Sequence, residues 1–429
     1  MTSKEKLILT LTILILVFVY VFGLSKMYFH QDDVDFLVAV SADWPKTIWL
    51  PVNEHAVILF WLLYRLEWWF FGINFGGFLT VSLLLHGLNL FLAGRLVYEE
   101  TRSRYYGLLT GLILAVNNNW NESVWWSTGQ MWLLATLFGL ISLLLLRSWQ
   151  RGKIGGIYWG LLIMAVSALP GLSWGVGLLW PLILLVSFRF LGSLKYGLLI
   201  SQGALLLVYQ LLASPKNLAS LLTLGRLVQM VIFVIVGLAN TVVGRLVFPW
   251  ENKPIRFLVL AGLLVLLLKT FRLWRGKVVG WPLSLTMASI LIYATYSLGR
   301  ASFGVGQAMA TRYAYLPTFF LVMAVMVVWA KVKFGRQKES LALGAAIYLA
   351  VAGLLVFNWR VTEWTKRPQM VRWYFNSIKR LSADNCLIDG PLPKFINPDP
   401  TRRLSDLRTP LRLDWQSGTT AQGCVSVFP

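Results

Sequence analysis

Acidic residues are scarce in this sequence. Only 18 of its 429 residues are Asp or Glu, against 39 Lys or Arg, and the formal net charge is +21. Three His and two Cys are present. No P-loop, glycine-rich nucleotide fingerprint, Cys/His metal spacing or Ser/His/Asp arrangement occurs, so nothing supports a nucleotide-binding enzyme, a zinc protein or a serine hydrolase.

The composition excludes a water-soluble globule. Hydrophobic residues make up 57% of the chain and charged residues 13%. Apolar runs recur from end to end, many of them near the roughly 20 residues that cross a bilayer. We therefore predict an all-α polytopic membrane protein with about 11 to 12 transmembrane helices. The spans are expected near residues 7–24, 73–97, 105–117, 130–147, 155–170, 172–189, 196–213, 255–271, 280–298, 314–333 and 341–358; the apolar segment 226–248 is either a further crossing or a re-entrant or interfacial helix.

The placement of the basic residues predicts orientation rather than nucleic-acid binding. They cluster in short connectors, as is typical of cytoplasmic loops. The clusters lie at 95–104, 147–153, 189–195, 269–277 and 331–338. This pattern predicts a multi-pass protein of the plasma or inner membrane with a cytoplasmic N-terminus, and it places residues 359–429 outside the cytoplasm.

Polar chemistry is expected on the outer face. A long first outer loop, residues 25–72, contains apolar helices that should lie along the membrane surface. We predict two domains, a transmembrane domain over 1–358 and a small extracytoplasmic segment over 359–429. Cys386 and Cys424 both lie in that segment, where a disulfide between them is plausible and two unpaired thiols are the alternative.

Two adjacent carboxylates, Asp32 and Asp33, follow the first predicted span. A like-charged pair tends to raise the pKa of one member unless cations or donors compensate. Such a pair suits a general base or the anchor of a cationic or metal-bridged ligand. A solvated loop end or a helix cap is the simpler alternative.

Four sequence features resemble the GT-C glycosyltransferase fold, in particular its protein-mannosyltransferase-like and ArnT-like members. The acidic pair follows the first span, and the segment from Leu84 to Asn89 resembles the pattern LLLHxLN. The segment from Asn121 to Gln130 resembles hxEaVaWisGR, and the one from Thr311 to Pro317 resembles ERYLYLP. The features occur in family order over roughly residues 7–335. This chain departs from the family at three positions: Gln130 replaces an Arg, Trp132 replaces an acid and Thr311 replaces a Glu.

The resemblance implies transfer of a sugar from a polyprenyl-phosphate carrier to a glycan, lipid or protein acceptor on the extracytoplasmic face. It implies that Asp32 is the general base, with Asp33 orienting a neighbour or helping to hold a cation, and that Glu122 binds hydroxyl groups. A leaving lipid phosphate needs cationic groups. The residues expected to bind it are Arg312, Arg300 and His55.

Other residues are expected to line the substrate site. They are His30, Trp125, Trp126, Gln130 and Tyr313. Each has a simpler alternative, since aromatic and basic residues are common at membrane boundaries. Asp32 and Asp33 could also hold Mg²⁺ or Mn²⁺ through oxygen ligands, although no cofactor is certain from the sequence.

Two other classes of function compete with the enzyme. A transporter or lipid flippase would favour charged or broken helices at the bilayer midplane, whereas the acids here lie mainly at span ends. A non-catalytic component of an envelope-polysaccharide assembly complex is the other. Membrane lipids are expected partners and nucleic acid is not; the sugar, the acceptor and the oligomeric state cannot be read from the sequence.

Overall fold

The computed structural model describes most of the chain outside the segments 213–222, 244–279 and 345–364. The described residues are 1–29, 32–42, 44–52, 55–188, 191–212, 223–243, 280–301, 304, 307–308, 310–331, 339–340, 343–344, 365–382, 386–394, 396, 402–413, 417–418, 424–425 and 427. The predicted span 255–271 lies outside them, as does most of the span 341–358.

The described residues are predominantly helical, which confirms the predicted all-α polytopic membrane fold. The helices are α1 Ser3–Lys26, α2 Asp32–Ser41, α3 Trp44–Thr47, α4 Ile58–Phe71, α5 Phe75–Thr101, α6 Arg104–Val116, α7 Asn121–Trp125, α8 Gln130–Gln150, α9 Ile157–Ser173, α10 Trp180–Ser187, α11 Leu194–Leu212, α12 Leu224–Val243, α13 Gly280–Arg300, α14 Thr311–Lys331, α15 over 365–382 and α16 Arg408–Leu411. Short 3₁₀ turns lie at Asn118–Trp120, Ser127–Gly129, Gly175–Leu179 and Leu404–Leu407.

Six described helical segments are long and apolar enough to cross a membrane. They are Ser3–Lys26, Phe75–Thr101, Ser127–Gln150, Leu194–Leu212, Leu224–Thr241 and Thr311–Lys331. The fifth overlaps the predicted segment 226–248 and has the length and composition of a crossing. Shorter apolar helices lie at Arg104–Val116, Ile157–Ser173 and Gly177–Ser187.

Helix α14 packs in the centre of the bundle, against α13, α12, α5 and α6. Helices α5 and α6 approach each other closely where two glycines meet. A Cβ atom on Gly94 would lie 2.7 Å from the carbonyl oxygen of Gly107, so a larger residue would push the two backbones apart. Helices α5 and α6 both pack against α14, which carries Arg312.

The first outer loop contains the expected surface helices, α2 and α4. Helix α4 has a strongly apolar exposed side, with Trp69 60% and Phe70 66% exposed. Its opposite side carries Tyr64 and Glu67, which are buried. Helix α4 therefore presents apolar residues outward and polar groups toward the body of the protein.

The tail packs on this loop and adds the only sheet among the described residues. Arg372 of α15 donates hydrogen bonds to the carbonyls of Leu24 and Met27 at the end of α1. Arg412 donates to the carbonyls of Trp68 and Trp69 in α4, at 2.6 and 2.9 Å. The tail is thus joined to both ends of the first outer loop.

The small sheet has parallel strands β1 Cys386–Ile388, β2 Ser417–Gly418 and β3 Cys424–Val425, in the order β2-β1-β3. Its register sets Cys386 opposite Cys424. Backbones paired in this way are close enough for a disulfide, which stays a prediction.

Candidate active site

The second outer loop and the start of α14 are joined by an ion pair. Arg312 donates from Nη1 to Oε2 of Glu122 at 3.1 Å, and its backbone N–H donates to the same oxygen at 3.2 Å. The side chains are 23% and 27% exposed, respectively. The guanidinium also lies over the rings of Trp126 and Tyr313, with its central carbon 5.3 and 5.1 Å from their centroids.

Local hydrogen bonds fix Glu122 in this position. Asn121 accepts the backbone N–H of Glu122 at 2.6 Å and also the hydroxyl of Thr311. The loop then folds back so tightly that a Cβ atom on Gly129 would lie 2.5 Å from the carbonyl oxygens of Glu122 and Ser123. Glycine is therefore required at 129 for the loop to reach α14.

The two adjacent aspartates have different environments. Asp33 is 0% exposed, and its Oδ1 accepts the hydroxyl of Ser127 at 2.6 Å and the backbone N–H of Thr128 at 3.0 Å. The hydroxyl groups of Ser127 and Tyr64 are 2.9 Å apart and hydrogen bonded. Asp33 therefore ties α2 to the 3₁₀ turn that follows Glu122.

Asp32, in contrast, is solvent-exposed. Partial desolvation by the surrounding protein raises the pKa of the Asp32 carboxyl, and the negative charge of Asp35 raises it further. The positive charges of Arg312 and Arg367 oppose this rise in pKa. The charges of Arg312 and, from the tail, Arg367 therefore both act on Asp32.

Of the aromatic residues expected to line the site, Trp126 and Tyr313 lie against Arg312. Trp125 instead packs into the core. It is 2% exposed, its ring centroid is 5.0 Å from those of Phe22 and Trp120, and its Nε1 donates to the carbonyl of Val19. The structure thus brings two of the three predicted rings to the cation.

His55 lies at the far end of a row of rings that begins at Arg312. Its ring centroid is 4.3 Å from that of Trp174, which is 4.6 Å from Trp132, and Trp132 lies 6.3 Å from Tyr313. His55 is half-buried. A continuous series of aromatic contacts therefore connects His55 to Tyr313, which lies against Arg312.

Arg300 is half-buried in the last turn of α13. Tyr296, one turn earlier, packs against Tyr313 with the ring centroids 4.9 Å apart. Arg300 therefore sits at the end of the helix that flanks Arg312. His30, the remaining predicted lining residue on the first loop, lies outside the described residues.

Gln130 is buried and does not face the Arg312 group. Its Nε2 donates to Oε1 of Glu67 at 2.7 Å, and it also contacts Ser82 Oγ at 3.1 Å and the carbonyl of Phe78 at 3.3 Å. Both Glu67 and Gln130 have at most 2% exposure. Gln130 therefore joins α8 to α4 and α5, and the expectation that it lines the substrate site stays a prediction.

The described residues offer no group of three or more His, Cys, Asp and Glu side chains that could hold a metal ion. The two aspartates of the predicted cation site differ in their surroundings. Asp33 Oδ1 accepts hydrogen bonds from two donors inside the protein, while Asp32 is exposed. The Mg²⁺ or Mn²⁺ site at this pair stays a prediction.

Sequence reasoning missed four residues that shape the site. They are Ser127, Thr128, Tyr64 and Glu67. Ser127 and Thr128 lie within the motif that resembles the family loop, so the motif locates them without revealing their donor role. Glu67 appears in the sequence only as a charge in an apolar run, and its partner Gln130 is 63 residues away.

Comparison with solved structures supports the fold. The crystal structure of ArnT from Cupriavidus metallidurans bound to undecaprenyl phosphate matches with a TM-score of 0.51 and 11% identity, over 96% of this chain and 86% of that one. The Archaeoglobus fulgidus oligosaccharyltransferase, solved in complex with Zn and sulfate, matches with a TM-score of 0.42 and 12% identity, over 84% of this chain and 55% of that one. No protein-family model and no curated protein matches the chain. The match to the ArnT structure shows that this chain has an ArnT-like fold.

Proposed function

We propose that this protein is a membrane glycosyltransferase that moves a sugar from a polyprenyl-phosphate-linked donor to an acceptor hydroxyl on the extracytoplasmic face. The observation that carries the proposal is the grouping of Asp32, Asp33, Glu122 and Arg312, which come from three separate parts of the chain. The ArnT structure to which this chain is similar contains undecaprenyl phosphate, and this supports a lipid phosphate as the donor carrier.

The proposed reaction is a single displacement. The acceptor oxygen forms a bond to the anomeric carbon while the bond from that carbon to the phosphate oxygen breaks, and the phosphate leaves with the electron pair. The acceptor proton passes to the carboxylate of Asp32. Attack from the face opposite the leaving group inverts the anomeric centre.

Asp32 suits the role of base because its carboxyl is exposed and its pKa is raised by partial desolvation and by Asp35. A carboxylate with a raised pKa accepts a proton more readily than an ordinary one. The opposing effects of Arg312 and Arg367 limit the rise.

Asp33 has a positioning role in this proposal. Ser127 and Thr128 satisfy its Oδ1, and these donors fix the first turn of α2 on which Asp32 lies. Asp33 therefore sets the direction of Asp32 without contacting substrate.

Arg312 is proposed to bind the donor phosphate and to stabilise the negative charge that grows on it. A guanidinium has five N–H donors in a fork that matches phosphate, so it can hold Glu122 and a phosphate together. Glu122 then keeps the guanidinium in place and accepts hydrogen bonds from sugar hydroxyls. Arg300 and His55 are proposed to add to the phosphate-binding site. Trp126 and Tyr313 are proposed to line the sugar site.

The test uses the purified full-length protein in lipid nanodiscs. It is incubated with a panel of polyprenyl-phosphate sugars and acceptor lipids, and sugar release and transfer are followed by mass spectrometry. Wild type should consume at least one donor, and D32N, with unchanged thermal unfolding, should be about 10²- to 10⁴-fold slower, the range for loss of a general base. An active D32N would reject the assignment of the base. A wild type that flips these lipids between leaflets without cleaving any of them would support the transporter instead.

A further inference from the structure

Glu67 and Gln130 form a buried, hydrogen-bonded pair. Among the described residues, Glu67 Oε2 and Gln130 Oε1 are buried and have no hydrogen-bond partner. The other two atoms of the same groups, Glu67 Oε1 and Gln130 Nε2, are bonded at 2.7 Å. Each group thus has one bonded atom and one buried oxygen that needs a donor.

The orientation of the Gln130 amide is fixed by its surroundings. Its nitrogen lies 3.3 Å from the carbonyl oxygen of Phe78, which can only accept a hydrogen bond. An amide flipped by 180° would put two oxygens against each other there. The Gln130 atom without a partner is therefore an oxygen, which needs a hydrogen-bond donor. An ionised Glu67 carboxylate has no hydrogen to donate to it.

A single proton on Glu67 can satisfy both of these oxygens. A protonated Glu67 donates from Oε2, and Gln130 Oε1 is the acceptor that lacks a donor beside it. A hydrogen bond between these two atoms, added to the observed contact between Gln130 Nε2 and Glu67 Oε1, would give a cyclic acid–amide pair. A buried ionised carboxylate without a cation is costly. Burial raises the pKa of Glu67 well above its usual value, and the hydrogen bond from Gln130, which lowers it, is the one opposing effect from the described residues.

The groups that face Glu67 are uncharged on most sides. Helix α5 contributes Ser82 and α8 contributes Gln130. The ionisable groups nearest Glu67 are the neutral phenol of Tyr64 on the same helix and, beyond Tyr64, the carboxyl of Asp33 on α2. Arg65 of α4 points to the carbonyl of Val40 and to Trp68 instead.

The pair lies beside the Asp33 network. Glu67 is three residues after Tyr64 on α4, and Gln130 is three residues after Ser127, so the two contacts between α4 and this segment run side by side. Ser127 is the side chain that donates to Asp33. The Tyr64–Ser127 and Glu67–Gln130 contacts therefore both join α4 to the segment that carries the donor of Asp33.

We propose that Glu67 is a neutral carboxylic acid in the folded protein and, paired with Gln130, is a positioning residue for the Asp33 carboxylate. The departure of Gln130 from the Arg of the family pattern matches this state, because an amide pairs with a neutral acid where a guanidinium would pair with a charged one. The positioning role rests on the proposed glycosyltransferase function, whereas the neutral state does not.

The neutral state is tested without any activity measurement. Infrared spectra of the wild type minus E67Q in nanodiscs at pH 7 should contain the carbonyl band of a protonated carboxylic acid and no matching carboxylate band. A carboxylate band instead would overturn the proposal.

Stability against pH gives a second independent readout. A group whose folded pKa is raised stabilises the fold below its unfolded pKa, about 4.3 for Glu, and this stability is lost as pH rises through the folded pKa. The unfolding equilibrium constant of wild type should therefore grow about tenfold per pH unit relative to E67Q in that window. Equal slopes for the two proteins would contradict a neutral Glu67.

The positioning role is tested by sugar transfer in E67L and E67Q. Gln at 67 can form both hydrogen bonds with Gln130, and Leu can form neither. We expect E67L to lower kcat at least tenfold with little change in the donor KM, and E67Q to recover most of the loss. Equal kcat for E67L and E67Q would reject the positioning role even where the infrared band is present. A wild type with no transfer activity would instead count against the proposed function and leave the protonation result standing.

Discussion

Arg312 and Glu122, 190 residues apart, share one carboxylate oxygen through both the guanidinium and the backbone N–H of the arginine. A lysine could keep a charge contact there but not the flat fork that can hold a carboxylate and a phosphate together. This relationship makes the start of α14 and the second outer loop one unit, and it allows the role of each partner to be tested separately.

R312K should lower kcat/KM for the lipid-linked donor by about 10²-fold, the usual size of losing an aligned donor to a developing oxyanion. E122Q should lower it less, because the guanidinium is retained. Steady-state kinetics with varied donor concentration measures both effects. R403K in the tail, where Arg403 binds Asp389, is the matched control. An R312K enzyme as fast as R403K would remove Arg312 from the phosphate site.

The raised pKa of Asp32 predicts the acidic limb of the pH–rate profile. The base is active when deprotonated, so kcat/KM should rise with pH through the pKa of Asp32. Asp35 raises that pKa and Arg367 lowers it. D35N should therefore move the limb to lower pH and R367Q to higher pH. Two variants that move the limb in the same direction would show that another group controls it.

The hydrogen bonds to Asp33 should contribute to stability. S127A removes a donor from a fully buried carboxylate, and hydrogen bonds to charged groups are worth about 1.5–3 kcal/mol. We expect a fall of that size in the free energy of unfolding, measured by denaturant titration in detergent. Ser123 is as deeply buried, and its hydroxyl has no partner among the described residues, so S123A should be nearly neutral. Equal losses for S127A and S123A would contradict the assigned network.

Removal of divalent cations should leave sugar transfer largely intact. Oδ1 of Asp33 accepts hydrogen bonds from Ser127 and Thr128, and Arg312 supplies positive charge. Transfer by EDTA-treated protein, compared with and without added Mg²⁺ or Mn²⁺, provides the measurement. A loss of activity that Mg²⁺ restores would show that a cation joins the aspartate pair.

The sequence predicted the elements better than it predicted the contacts. The length of an apolar run is a strong indication of a membrane-spanning helix. Helices α1, α5, α8 and α14 lie where such runs occur. The acids and Arg312 were found because charges are rare in such a chain. Whether Asp32 and Arg312 have the proposed roles stays a prediction.

Contacts between distant polar residues could not be predicted in this way. Glu67 was identified only as a charge interrupting a surface helix, because the amide that pairs with it begins another helix 63 residues later. Trp125 and Trp126 are adjacent in the sequence, yet one packs against α1 and the other under Arg312. Which of two neighbouring rings faces a site depends on helix rotation, and a five-residue helix such as α7 is too short for hydrophobic periodicity to set it.

The anchoring of the tail constrains how often the polypeptide passes through the bilayer. Lys4, at the start of α1, forms an ion pair with Glu339, so both residues share one side of the membrane. Arg372 binds carbonyls at the other end of α1 and therefore lies on the opposite side. The two contacts therefore hold residues 339 and 372 at opposite ends of α1. An insertion that adds a single crossing in between would separate Arg372 from its carbonyl partners by the full thickness of the membrane.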